Sequence, residues 1–374
     1  MRLLHRCAVL ALALGATAAD AAPERSVGPD AASRDFDFNL GVWHTRITRV
    51  MDPLSGGTHT VALEGTVTVR KVWGGRAQLE EIEADGPNGH WEGLTLFLYN
   101  PKSRQWAQSY IGAKTGDLEP PLIGSFKEGR GELFAQDTFD DRSILVRGTW
   151  SRIEPDSHRF EESYSDDGGR TWSPAFIANL TRETGAAVPG GDAVGQTAGA
   201  PPFRSSASDH SGSSDAGGQD AAHAFDFDVG VWKTHSSRLM HPLTGLHDWA
   251  DMDGVSVVTQ VWNGRANLAE YKADGPAGHV ELLALRWYNP QARQWNLDFA
   301  TPNVGVLGIP GVGEFNDGRG DFYDQETIEG RAVLVRFSIW GITPDSAQSE
   351  QAFSTDGGKT WETNWINKYT RMKP

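Results

Sequence analysis

The feature that most constrains this chain is that it contains the same domain twice. Phe36-Asp37-Phe38-x-x-Gly41-Val42-Trp43 returns 189 residues later as Phe225-Asp226-Phe227-x-x-Gly230-Val231-Trp232. The same offset carries Phe36–Arg182 onto Phe225–Arg371 without a gap, with roughly 60 of about 147 positions identical. Paired landmarks include Trp73/Trp262, Asp85-Gly86-Pro87/Asp274-Gly275-Pro276 and Tyr99-Asn100-Pro101/Tyr288-Asn289-Pro290. Solenoids and propellers repeat every ~20–50 residues, whereas a copy of this length is a whole domain. Two tandem domains are therefore expected, over 35–183 and 224–374.

The flanks read differently. Arg2 and Arg6, an apolar run from Ala8 to Ala18 and small residues at Ala19-Asp20-Ala21 make the pattern of a secretory signal peptide over 1–22. The run is too short to span a bilayer, so no membrane anchor is expected, and the mature protein should be periplasmic or secreted from a bacterium. Residues 23–34 and 184–223 are rich in small and polar side chains and bury too little apolar surface to offset their ordering entropy. The first is expected to be disordered. The second is expected to be a flexible linker with a reach of roughly 35 Å, leaving two halves that move and fold independently.

A formal charge of −15 repels phosphate backbones and anionic lipid, which excludes nucleic acid as a partner. Cys7 is the only Cys and falls in the leader, so there is no disulfide framework, Cys-type zinc site or iron–sulfur cluster. No P-loop, nucleophile elbow or His-Glu-x-x-His occurs. A monomer without a cofactor is expected. The 14 Trp point to aromatic-packed strands or an aromatic-lined cavity.

Within a copy, apolar residues alternate with period two, as in Ile144-Leu145-Val146-Arg147 and Leu94-Thr95-Leu96-Phe97-Leu98. Turn signals such as Asp85-Gly86-Pro87, Gly129-Arg130-Gly131 and Asp167-Gly168-Gly169 separate the runs. The pattern predicts an all-β fold of about eight to ten antiparallel strands per copy, either a closed barrel or a β-sandwich. Gly41-x-Trp43 and Gly230-x-Trp232 at the start, with Arg182 and Arg371 in the last strand, resemble the calycin superfamily of lipocalins, fatty-acid-binding proteins and nitrobindin-like barrels. That resemblance implies that the Trp packs under the Arg to close each barrel. Neither copy offers an axial His near its C-terminus, so haem is not expected. Phe-Asp-Phe-x-x-Gly-x-Trp with a later Asp-Gly-Gly-x-Thr-Trp is also similar to secreted bacterial proteins of unknown function. Ser165-x-Asp167-x-Gly169-x-Thr171-Trp172 and its copy Ser354 to Trp361 resemble the Asp-box of sialidases, but one box per domain reads as a hairpin brace.

Chemistry is sought on the strand whose alternation is clearest. His90, Glu92, Leu94, Leu96 and Leu98 share one face, as do His279, Glu281, Leu283, Leu285 and Trp287. The apolar run predicts that this face points into the barrel. A hairpin centred on Asp85-Gly86-Pro87 would set Glu81 opposite Glu92, and Glu270 opposite Glu281, with Arg76 or Arg265 nearby. One His and two Glu per barrel could anchor a ligand, perform acid–base work or hold a divalent metal. They could equally be a hydrogen-bonded rim. Arg147, Arg336, Gln136, Gln325, Thr138 and Thr327 would line a pocket if inward, while Trp106 and Trp295 follow a turn and suit either core or pocket. His44, His59 and His158 have no His partner in the second copy. The copies differ at Glu80/Ala269, Ser109/Asp298 and Leu98/Trp287, so their pockets should differ, the Trp making the second cavity smaller.

Three functions follow from this reading. The first is an exported binding protein for a small hydrophobic or aromatic molecule, one pocket per barrel. The second is a cofactor-independent lyase, isomerase or hydrolase using the His/Glu pair on a hydrophobic or phenolic substrate. The third is a carbohydrate or envelope module with an external Trp-lined groove.

Overall fold

The computed structural model describes residues 31–56, 59–185, 221–276 and 278–373. The expected signal peptide and most of the expected linker lie outside the described residues. Ten strands form the first copy: β1 (Gly41–Val50), β2 (Thr60–Val72), β3 (Ala77–Gly86), β4 (Gly89–Asn100), β5 (Gln105–Gly112), β6 (Leu122–Lys127), β7 (Arg130–Phe139), β8 (Arg142–Glu154), β9 (Ser157–Ser165) and β10 (Ser173–Arg182). Ten more form the second: β11 (Gly230–Leu239), β12 (Trp249–Val261), β13 (Ala266–Gly275), β14 (Gly278–Asn289), β15 (Gln294–Ala300), β16 (Gly311–Asn316), β17 (Arg319–Ile328), β18 (Arg331–Trp340), β19 (Ser346–Ser354) and β20 (Glu362–Arg371). Each set is an up-and-down meander whose last strand pairs with its first, giving two closed antiparallel barrels in tandem. The sandwich alternative is thereby excluded, because closure leaves no sheet edge. Among the described residues no helix is long and apolar enough to cross a membrane.

One end of each barrel is closed by the segment that precedes its first strand. Phe36 is wholly buried against Phe97, Trp106, Phe126 and Trp150, with ring centroids 4.7–5.5 Å away. The Trp43 indole donates to the Asn39 carbonyl at 2.7 Å, and the Arg182 guanidinium lies 4.0 Å over the Trp43 ring while donating to Leu40 O at 2.9 Å. Trp232 and Arg371 repeat this latch in the second barrel. The resemblance to calycin-like barrels implied this closure. Gly41 sits at φ +126°, where an added Cβ would lie 2.5 Å from Arg182 Nη1, so only glycine admits the guanidinium. Two expectations of disorder are corrected at this end. Ala31–Arg34 and Ala221–His223 form 3-10 turns, and the indoles of Trp106 and Trp295 donate to the carbonyls of Ala32 and Ala221 at 2.9 and 2.8 Å.

The barrels do not hang independently on a tether. Val72, Trp73, Leu79, Leu94, Leu96 and Leu98 form a single buried cluster with Val261, Trp262, Leu268, Leu283, Leu285 and Trp287. The face that alternation predicted to be inward is therefore outward, and it is buried because the other barrel covers it. A strand apolar on both faces reads the same whether its second face meets a core or another domain. The seam is pseudo-twofold. Trp73 N–H donates to Glu270 Oε1 at 2.8 Å, and Trp262 N–H donates to Glu81. Arg76 pairs with Glu281 at 2.7 Å, and Arg265 pairs with Glu92. Gly116 packs against Asn289 and Gly305 against Asn100, each so closely that a Cβ would collide with backbone.

Candidate functional site

The interior of the first barrel carries the candidate site. Above the closed end, a small half-enclosed cavity of about 60 Å³ opens among β2, β3, β4, β5, β8, β9 and β10. Its apolar wall is Val67, Ile82, Phe160, Ala178 and Leu180, and its polar wall is Glu80, Thr95, Gln108 and Tyr110, with Trp91, Trp150 and Phe176 between them. The faces follow from β4: Thr95 and Phe97 point inward precisely because Leu94, Leu96 and Leu98 point to the seam.

Glu80 sits at the middle depth, accepting from Asn39 Nδ2 at 3.0 Å and from Thr95 Oγ1 at 3.2 Å. Burial raises its pKa above the usual carboxylate range, only partly offset by those two donors. Gln108 Oε1 accepts from the Trp150 indole at 3.1 Å. At the open end, ionisable groups crowd around Tyr110. Glu119, on the segment between β5 and β6, is pushed up to about 7 by burial and then by the charges of Glu162 and Asp137. Burial also raises Glu162 and the hydroxyls of Tyr110 and Tyr164. Arg49, exposed at the end of β1, is the cation facing this group.

The second barrel reverses this lining. The polar wall Glu80, Thr95, Gln108 and Tyr110 becomes Ala269, Ala284, Leu297 and Phe299. The apolar wall Val67, Ile82, Phe160, Ala178 and Leu180 becomes Ser256, Tyr271, Ser349, Asn367 and Tyr369. These new polar groups satisfy one another. Ser236 Oγ hydrogen-bonds Tyr271 Oη and Asn367 Oδ1, both at 2.7 Å, and Asn367 Nδ2 donates to Ser349 Oγ at 3.0 Å. Arg286, which replaces Phe97, is buried against Asp228 and lies 5.0 Å over the Phe225 ring.

The residues singled out from sequence fall elsewhere. The hairpin register sets Glu83, not Glu81, opposite Glu92, and Glu81 opposite Leu94. His90 lies on the outside, half-exposed, bridging Asp85 at 2.9 Å and Glu92 at 3.0 Å. His279 contacts Asp274 at 2.7 Å, with Glu281 at 4.0 Å. Glu281 is held below its ordinary pKa: burial raises it, but hydrogen bonds and charges from Lys272 and Arg76 outweigh that. Glu81, Glu92, Glu270, Glu281, Arg76 and Arg265 are thus seam residues, as are Leu94 and Leu283. Trp287 also belongs to the seam, donating to Gly116 O at 2.8 Å, so it does not shrink the second cavity. Among the described residues no three His, Cys, Asp or Glu side chains are placed to hold a metal.

Arg147 and Arg336 lie on the outer face beneath Trp172 and Trp361, 4.4 and 4.7 Å from the ring centroids. Trp106 and Trp295 pack at the closed ends. The Asp-box geometry is that of a hairpin brace. Asp167 accepts from Thr171 N–H and Oγ1 and from Arg170 N–H, which hold its carboxyl well below the usual range. The groups that sequence reasoning missed are Thr95, Gln108, Tyr110, Glu119 and Glu162. Glu80/Ala269 was noticed only as a difference between copies, and that difference was the usable signal.

No protein-family profile matches this chain, and no curated protein matches it. Among solved structures, the S-type phycobiliprotein lyase from Guillardia theta is 16% identical over 42% of this chain and 94% of its own, with a TM-score of 0.31. A designed fluorescence-activating β-barrel is 12% identical over 39% of this chain and 95% of its own, at 0.23. A protein of unknown function from the DUF3598 family of Nostoc punctiforme is 10% identical over 92% of this chain and 100% of its own, also at 0.23. None of these likenesses bears on what the cavity holds. By its topology, closure and latch, the chain is a tandem pair of calycin-like barrels.

Proposed function

We propose that the protein is an exported binding protein whose first barrel takes a small, largely apolar or aromatic molecule carrying one hydrogen-bonding group. The cavity itself carries this reading: aromatic faces enclose it, and four polar side chains converge from one wall, the composition of a small-molecule pocket. The second barrel acts mainly as a scaffold, since the corresponding space is crossed by its own hydrogen-bonded chain. The alternative of a cofactor-independent enzyme built on His90 and Glu92 loses its residues to the seam.

Trp91 and Trp150 line the cavity, so tryptophan emission reports occupancy. Titration with neutral aromatic alcohols should quench it saturably, and Ala178→Asn with Leu180→Tyr, the second copy's residues, should abolish the response. Absence of any saturable quenching would refute the pocket reading. Export rests on the N-terminal pattern, and sequencing the mature N-terminus should begin near residue 23.

A further inference from the structure

We infer that the ligand of the first barrel is a cation, an amine on a compact aromatic or alicyclic frame, an inference that rests on the pocket reading above. The argument is a charge inventory. Glu80 from β3 and Tyr110 from β5 line the cavity, and beyond Tyr110 lie the charges of Glu119 from the β5–β6 segment, Asp137 from β7 and Glu162 from β9, with the hydroxyl of Tyr164 (β9). Asp117 adds a weaker negative field at Glu119. Against these stands Arg49 of β1, exposed as Glu119 is, so that water screens both and the buried Glu80 carries the unbalanced charge. Glu80, buried with no cation beside it, is costly when ionised, and a bound ammonium would supply that charge. The aromatic faces of Trp91, Tyr110, Trp150, Phe160 and Phe176 are the surroundings in which a desolvated cation is favoured.

The second barrel supplies an independent observation, because it carries the cation as its own side chain. Arg286 replaces Phe97 and sits over the Phe225 ring, paired with Asp228, the counterpart of Asn39. Arg238, the counterpart of Arg49 and so a cation common to both copies, lies 5.2 Å over Trp365, the counterpart of the cavity residue Phe176. In the same copy Glu80, Glu119 and Glu162 have become Ala269, Gly308 and Gln351. The second barrel keeps buried carboxyls of its own at Asp298, Asp324 and Glu326, the last in place of Asp137, so the exchange is confined to the cavity wall, where Glu80 is lost and Arg286 gained. In the first cavity Glu80 stands without a side-chain cation, and a ligand cation would sit beside it.

The test uses three probes of one shape, 2-phenylethylamine, 2-phenylethanol and phenylacetate, titrated calorimetrically into the full mature chain at pH 5.5 and 8. The amine should bind at least tenfold tighter than the alcohol at pH 8, and the carboxylate should be weakest. The preference should shrink several-fold at pH 5.5, where Glu119, pushed up to about 7, keeps its proton. Glu80→Gln and Glu162→Gln should each reduce the amine-to-alcohol ratio, with thermal unfolding confirming that both variants fold. If the alcohol binds as tightly as the amine, or the ratio survives both substitutions, the cation inference is wrong and the pocket reading stands. If none of the probes binds, both fall.

Discussion

Along the seam, Trp73, Arg76, Leu79, Glu81, Glu92 and Leu96 are each matched by the same residue in the other copy, whereas none of the twelve residues lining the first barrel's cavity is. The contrast has a physical origin. A seam residue must fit the surface of the other copy as well as its own barrel, so a change there is constrained from both sides. A barrel interior meets nothing in the other copy and can change freely once its own packing is satisfied. The duplication has therefore kept the geometry by which the barrels clasp each other and diverged in what they enclose. Seam residues mark architecture, and cavity residues mark function.

The largest effect should come from breaking the seam. Leu96→Asp places an unpaired carboxylate in a fully apolar contact and should cost about 4 kcal/mol or more, a large part of a domain's stability. Thr95→Ala, one residue away but facing the cavity, should cost only about 1 kcal/mol. Urea unfolding of the two variants measures the difference, and similar losses would dissolve the distinction between the two faces.

The seam is also self-complementary, which makes a second expectation. Residues 31–185 expressed alone should form a homodimer, with Arg76 reaching Glu92 of the other copy and Trp73 N–H reaching its Glu81, as Arg76 and Glu281 meet now. Sedimentation velocity should show twice the half-chain mass. A stable monomer would mean that the seam is dispensable, as the linker composition alone had implied.

Smaller effects refine the picture. Arg76→Glu should cost about 1 kcal/mol, because Arg76 is half-exposed and water screens the pair, and adding Glu281→Arg should restore most of it. His158 separates the barrels by pH. Buried among Trp43, Phe38 and Trp150 with neither ring nitrogen bonded, it is pushed down to about 3 by burial and then by the Arg182 charge. The unfolded chain, with its His near 6.5, binds more protons, so this contribution is full above about pH 6.5 and is lost as pH falls toward 3. Glu119, Asp298 and Asp324 act with the opposite sign. Raised to about 7, 7 and 8, they hold protons in the folded state, and their contribution weakens as pH rises through those values. A pH series of melting temperatures should therefore flatten on its acid side in His158→Phe and keep its alkaline decline.

Most of the architecture was legible in the sequence. The duplication and the period-two alternation pointed to two all-β copies, and the Gly-x-Trp/Arg pairs favoured closed barrels with the sandwich left open, because closure is set by the pairing of the last strand with the first. The site was not legible for two reasons. Leu94, Leu96 and Leu98 carry the strongest apolar signal on β4, and hydrophobicity reports burial without saying what does the burying. Taking the seam for the interior turned β3 and β4 inside out, hiding Glu80 and Thr95 and promoting Glu81 and Glu92. Glu119 and Glu162 come from distant strands and loops, and their convergence exists only once the barrel closes.

The central claim is that ligand binding belongs to the first barrel alone. Equilibrium dialysis of the full chain against a saturating aromatic probe, the one that binds tightest of the three, measures this through its stoichiometry. The account expects one molecule per chain, lost when Ala178→Asn and Leu180→Tyr give the first cavity the second copy's side chains, and unchanged by Asn367→Ala in the second barrel. Two equivalent sites per chain, or one site that survives the filling of the first cavity, would contradict it.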